Sequence, residues 1–94
     1  MQNQLDLNSL QLVQRLQQAG SFTAAAEQLG CSKTTLSLQL KALEQQLGTD
    51  IWLREGRSLR LTQAGQHVLA VANRVLPQLA LAEERLRQFA QGER

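Results

Sequence analysis

The chain has 94 residues, 43% of them hydrophobic and only 3% aromatic, with one cysteine, one histidine and a formal net charge of +2. That length supports one domain with a modest core, and the composition excludes a mainly disordered chain in favour of aliphatic helices packed on one another. A lone cysteine and a lone histidine exclude a disulfide framework or a four-ligand zinc site within one chain, while the mild positive charge permits a nucleic-acid or anionic-membrane partner without arguing for either.

Residues 8 to 19 carry Leu10, Leu12, Val13 and Leu16 among Gln and Arg, a broad apolar face at helical spacing that ends before Gly20. Ser21 or Thr23 can cap a short second helix in which Phe22, Ala25, Ala26 and Leu29 recur at i, i+3, i+4 and i+7, and Gly30 suits its stop. Cys31 reads as a half-buried turn residue. Ser32 is a natural cap for a third helix whose Leu36, Leu40, Leu43 and Leu47 form one stripe, closed by Gly48. Thr34, Leu38, Lys41 and Gln45 fall opposite that stripe, with Ser37 on its flank and Lys33 in the first turn. The second helix is therefore built for packing and the third for presentation. Glu44 reads as a structural residue, one member of an ion pair near Lys41.

Next, "TDIWLREGRSLRLT" holds two short apolar runs, Ile51 to Leu53 and Leu59 to Leu61, around Gly56, which predicts a small β-hairpin bearing Arg54, Arg57 and Arg60. Alternation sets Leu59 and Leu61 on one face and Arg60 on the other. From Thr62 to about Gln91 the pattern is helical, and His67 is a solvated position on it. Val68, Ala72, Val75, Leu79, Ala82, Leu86 and Phe89 repeat at alternating spacings of four and three, a coiled-coil-like seam. Such a helix extends about 45 Å, longer than a domain of this size can cover with its own surface, so the seam predicts a partner helix. Its first part, near Leu69 and Leu76, should pack on the domain; Pro77 should kink or weaken the helix.

No Ser/His/Asp set, phosphate-binding glycine loop, HExxH pair or carboxylate dyad appears outside surface helix positions, so no enzyme, no cofactor and no metal are expected. No apolar run reaches a membrane span, and "MQNQLDLNSL" lacks the basic-then-apolar order of a secretory signal, so a cytoplasmic chain with no membrane partner is expected. A short helix, a tight turn, a second helix with a polar outer face and then a basic hairpin describe a winged helix-turn-helix, the second helix suited to the major groove and the hairpin to phosphates or the minor groove.

The segment "GSFTAAAEQLGCSKTTLSLQLKALEQQLGTDIWLREGRSLRLTQAG" closely resembles the N-terminal DNA-binding domain of LysR-type transcriptional regulators. The markers are Ala24 to Ala26, Leu29, Ser32, Leu36-Ser37, Gln39, Leu43-Glu44, Leu47-Gly48, Ile51-Trp52-x-Arg54 and Leu61-Thr62-x-Ala64-Gly65. The resemblance implies a mainly α fold with residues 1–61 as the winged helix-turn-helix and 62–94 as a linker and dimerisation helix. It further implies double-stranded DNA as partner, a homodimer on an interrupted inverted repeat, and a small-molecule effector that would need a C-terminal domain outside this chain. Carried over by register, the helix of residues 32–47 enters the major groove, with Lys33, Thr34, Ser37 and Leu38 as base-facing residues. Ser32, Gln39 and Lys41, with the hairpin's Arg54, Arg57 and Arg60, are assigned to the backbone or minor groove. Val75, Leu79, Ala82, Leu86 and Phe89 are assigned to the dimer.

This sequence departs from the family where Gln followed by Pro or Ser is usual and Lys33 and Thr34 stand instead, and where Leu38 replaces an Arg or another polar residue. The expected operator is correspondingly unusual. Lys33 suits guanine O6 and N7, and Leu38 suits a thymine methyl. A competing reading from a different class is an adaptor, in which the winged helix and the long seam bind protein partners instead.

Overall fold

The computed structural model describes residues 5–56 and 58–92; Arg57, assigned above to the hairpin loop, lies outside the described residues. The elements run α1 (Leu7–Ala19), α2 (Phe22–Leu29), α3 (Lys33–Leu47), β1 (Trp52–Glu55), β2 (Ser58–Leu61) and α4 (Gln63–Ala90). This is a mainly α winged helix-turn-helix followed by a long helix.

Each helix starts where a short oxygen-bearing side chain takes up a first-turn amide. Ser21 Oγ accepts from Ala24 N at 3.1 Å, Ser32 Oγ from Thr35 N at 3.0 Å and Thr62 Oγ1 from Gly65 N at 3.0 Å; such caps are typically worth about 1 kcal/mol. Of the two caps proposed for α2, Ser21 is the one used. The turn into α3 is closed by Gly30 at φ 70°, a left-handed conformation that a side chain would strain, with Cys31 N donating to Ala26 O at 3.0 Å.

Asp6 caps α1, accepting from both the amide and the hydroxyl of Ser9, and these bonds hold its carboxyl below the usual carboxylate range. A carboxylate depressed in the folded state stabilises above its unfolded pKa and loses that contribution as pH falls through the folded one. Asp6→Asn, which keeps a capping oxygen without the titration, should therefore show a shallower loss of stability on the acid side, as followed by circular dichroism against pH.

The core joins Leu10, Val13 and Leu16 of α1, Phe22, Ala25 and Ala26 of α2, Leu36, Leu40 and Leu43 of α3, Ile51 and Trp52, and Val68 and Ala72 of α4. Leu47, the last of the α3 stripe, is half-buried. The stripe thus points inward, and Thr34, Leu38, Lys41 and Gln45 are exposed.

β1 and β2 pair antiparallel in the register Trp52 with Leu61, Leu53 with Arg60, Arg54 with Leu59 and Glu55 with Ser58. Glu44 fastens the hairpin to α3: its Oε2 accepts from the backbone amides of Ile51 at 2.8 Å and Trp52 at 3.0 Å. The structural role expected for Glu44 holds, but through amides rather than an ion pair. It serves the first backbone donors of the wing, which otherwise lose hydrogen bonds as the chain leaves the helix. At the wing's other end Thr62 Oγ1 donates to Asp50 O at 2.6 Å while Thr62 N donates to Ile51 O at 3.0 Å.

α4 continues without interruption through Pro77. Its first half packs along α1, where Gln14 Nε2 donates to Asn73 Oδ1 at 3.1 Å, and Leu69, Val71, Val75 and Leu76 are partly buried against the core. From Pro77 to Gly92 every residue is exposed.

Candidate nucleic-acid interface

The pleat sorts the hairpin residues into two faces. Arg54 lies on the side of Trp52, Leu59 and Leu61, facing the helices, whereas Arg60 lies with Leu53, Glu55 and Ser58 on the other. The sequence-level grouping of these two arginines is thus divided by the fold. Arg60 Nη1 pairs with Glu55 Oε1 at 3.3 Å on that outer, solvated face, so part of its charge is already matched there. Arg54 has no such partner among the described residues; its guanidinium carbon sits 4.1 Å from the centroid of the Phe22 ring. A cation over an aromatic face is held by the ring quadrupole without losing its charge. Phe22 itself is buried, so Arg54 rests on a rigid platform.

Two adjoining depressions meet at this arginine. One, of about 500 Å³, is lined by Ser21, Phe22, Thr23, Lys33, Arg54, Gly56, Ser58 and Leu59; the other, of about 360 Å³, by Phe22, Lys33, Thr34, Ser37, Leu38, Lys41 and Arg54. Together they form a crevice between the N-terminal half of α3 and the wing. Among the described residues three cations border it, and no carboxylate lines either part. A concave surface of one sign between low-dielectric walls concentrates potential and attracts an anion. The first-turn amides of α3 add a positive helix end on the same side.

Lys33, Thr34, Ser37, Leu38, Lys41 and Arg54 are therefore brought together by the fold, with Ser37 half-buried and the others exposed. Ser32 is occupied differently. Its hydroxyl accepts from the Thr35 amide and donates to Thr35 Oγ1 at 3.0 Å, so its part is to hold the helix end in place. Gln39 stands on another flank of α3, lining a separate groove with Asn8, Gln11 and Arg15 of α1.

Two supports escape sequence reading. Phe22 has the spacing of an ordinary core residue, and nothing near it in sequence signals that Arg54 lies on its ring. The second is an isolated antiparallel bridge between Ser21 and Ser58, which ties the wing to the start of α2. Both join residues more than thirty positions apart.

Helix-turn-helix, cationic crevice and hairpin together define a class, the winged helix-turn-helix domains. The chain belongs to the lysR family of bacterial regulatory helix-turn-helix proteins, whose profile matches residues 7–66. It is 44% identical over 77 residues to the HTH-type transcriptional regulator PtxR of Pseudomonas aeruginosa, a match covering 82% of this chain and 25% of that one. It is 38% identical over 78 residues to MetR of Salmonella typhimurium, covering 83% and 25%. The chain thus spans about a quarter of the length of these curated relatives. Among solved structures it is similar to the CbnR DNA-binding domain in complex with DNA, at 31% identity and a TM-score of 0.78 over 92% of this chain and 99% of that one. It is also similar to the BenM DNA-binding domain bound to catB site 1 DNA, at 26% identity and a TM-score of 0.85 over 96% and 100%.

Proposed function

We propose that the chain is the sequence-specific, double-stranded DNA-binding part of a LysR-type transcriptional regulator acting in the cytoplasm, with residues 1–61 as the reading unit and 62–94 as linker and dimerisation helix. The observation that carries this is the crevice bordered by Lys33, Lys41 and Arg54, free of carboxylates among the described residues, beside the exposed polar face of α3. In this reading α3 enters the major groove. Lys33, Thr34, Ser37 and Leu38 face base edges, while Lys41, Arg54 and, in the wing, Arg57 and Arg60 meet the phosphate backbone or the minor groove. The related regulators are transcriptional regulators by name, and two of the similar structures are DNA complexes. The exposed outer half of α4 supports a homodimer, whose two-fold symmetry matches an inverted repeat with half-sites about 34 Å apart or a multiple of it.

The division of roles has a direct test in binding titrations against salt and sequence. Arg54→Ala should weaken all duplexes alike and lower the slope of log affinity against log salt by about 1, whereas Lys33→Ala should relax preference at one base pair. Equal behaviour of the two variants would refute the division. A chain that ignores DNA at low salt and stays monomeric would favour a protein-binding adaptor instead.

A further inference from the structure

We propose that Leu38 reads the 5-methyl group of a pyrimidine in the major groove, so that the preferred site carries thymine at one position per half-site and C5-methylated cytosine there outcompetes unmodified cytosine. The inference rests on the DNA-binding reading and deepens it by naming the group recognised.

Leu38 is 64% exposed, and it is the one large apolar side chain so exposed on α3 among the described residues. The others lie elsewhere: Leu7 on α1, Leu53 on the outer face of the wing, and Leu79, Leu81, Leu86 and Phe89 on the far half of α4. Leu38 is therefore not part of the α4 seam. It lines the cation-bordered depression beside Lys33, Thr34, Ser37 and Lys41, all of which offer hydrogen bonds or charge. An apolar group in that setting gains nothing from phosphate or from the polar edges of guanine, adenine or cytosine. Thymine differs from the other bases by presenting a carbon group, the C5 methyl, at the major-groove edge. Contact between that methyl and the leucine removes apolar surface from water on both partners. The same methyl on cytosine offers the same contact, independently of the base's hydrogen-bonding groups.

The test begins with a preferred duplex selected from a random pool by this chain. Each thymine is then replaced in turn by deoxyuridine, which deletes only the methyl, and cytosine is compared with 5-methylcytosine at the sensitive position. Wild-type protein should lose about fourfold in affinity at one thymine per half-site, the worth of one buried methyl-sized group, and should gain a similar factor from cytosine methylation there. Leu38→Ala, at an exposed position whose truncation does not touch the core, should abolish both differences. Specific binding with every deoxyuridine neutral, or with a penalty that survives in Leu38→Ala, overturns the inference and leaves DNA binding standing. Absence of any sequence-specific duplex binding by the wild type overturns both together.

Discussion

Replacing Leu86 and Phe89 together by glutamate should convert a dimer into monomers and lower affinity for a duplex with two half-sites by about 10²–10⁴-fold, with binding to an isolated half-site little changed. These side chains are 65% and 62% exposed, with Leu79 at 37%, and they lie on one face with Ala82 at spacings of three and four. Val75, the first residue of the proposed dimer set, is already half-buried against the protomer's own core, so the proposed dimerisation would fall mainly to the part beyond Pro77. Charges introduced there face either a partner helix, which they would have to desolvate, or water, which costs nothing. The effect on DNA follows from linkage. Once one half-site is engaged, the second binds from an effective concentration set by the tether, and that gain vanishes when the protomers part. Sedimentation or light scattering gives the mass, and titration on one- and two-site duplexes gives the avidity. A wild-type monomer at micromolar concentration, or a variant that stays dimeric, would remove this face from the account.

Gly65→Ala should destabilise the domain by about 1–3 kcal/mol, since its methyl would enter occupied space. At about 4–8 °C per kcal/mol for a domain of this size, the expected fall in Tm is about 5–20 °C. A β-carbon on Gly65 would clash with the Ile51 carbonyl oxygen and lie 2.8 Å from Leu61 Cδ2 and 3.1 Å from Ile51 Cγ2. The leucine methyl can rotate away, but the carbonyl is main chain and is already engaged by Thr62 N. Relief therefore requires α4 to move from the base of the wing, loosening the Thr62 cap and the loop that aims β1. Denaturation at matched protein concentration measures the loss, because the proposed dimerisation would make stability concentration-dependent. The exposed neighbour change Gln66→Ala should be nearly silent. An unchanged Tm in Gly65→Ala would show that α4 can accept a side chain where it crosses Ile51.

The local plan of this chain is legible in its residues because its causes are local. Caps at Ser21 and Ser32 act within three residues, and the leucine stripe of α3 follows from helical period alone, so the starts of α2 and α3 and the inward and outward faces of α3 can be read from order and spacing. Resemblance in register adds the assignment of Lys33, Thr34, Ser37 and Leu38 to one side. What the fold alone decides are meetings between residues far apart in the chain. Glu44 looks like a surface ion-pair partner by spacing, yet its carboxylate reaches the amides of Ile51 and Trp52 once the chain doubles back after Gly48. Arg54 and Arg60 look alike in a run of basic residues, yet strand register sends one onto Phe22 and into the crevice and leaves the other with Glu55 on the outer face. Gly65 has no special backbone angle to betray it, and its need for a hydrogen in place of a side chain arises where α4 crosses Ile51. Periodicity fixes which way a side chain points within its own element, but packing of one element on another fixes what it finds there.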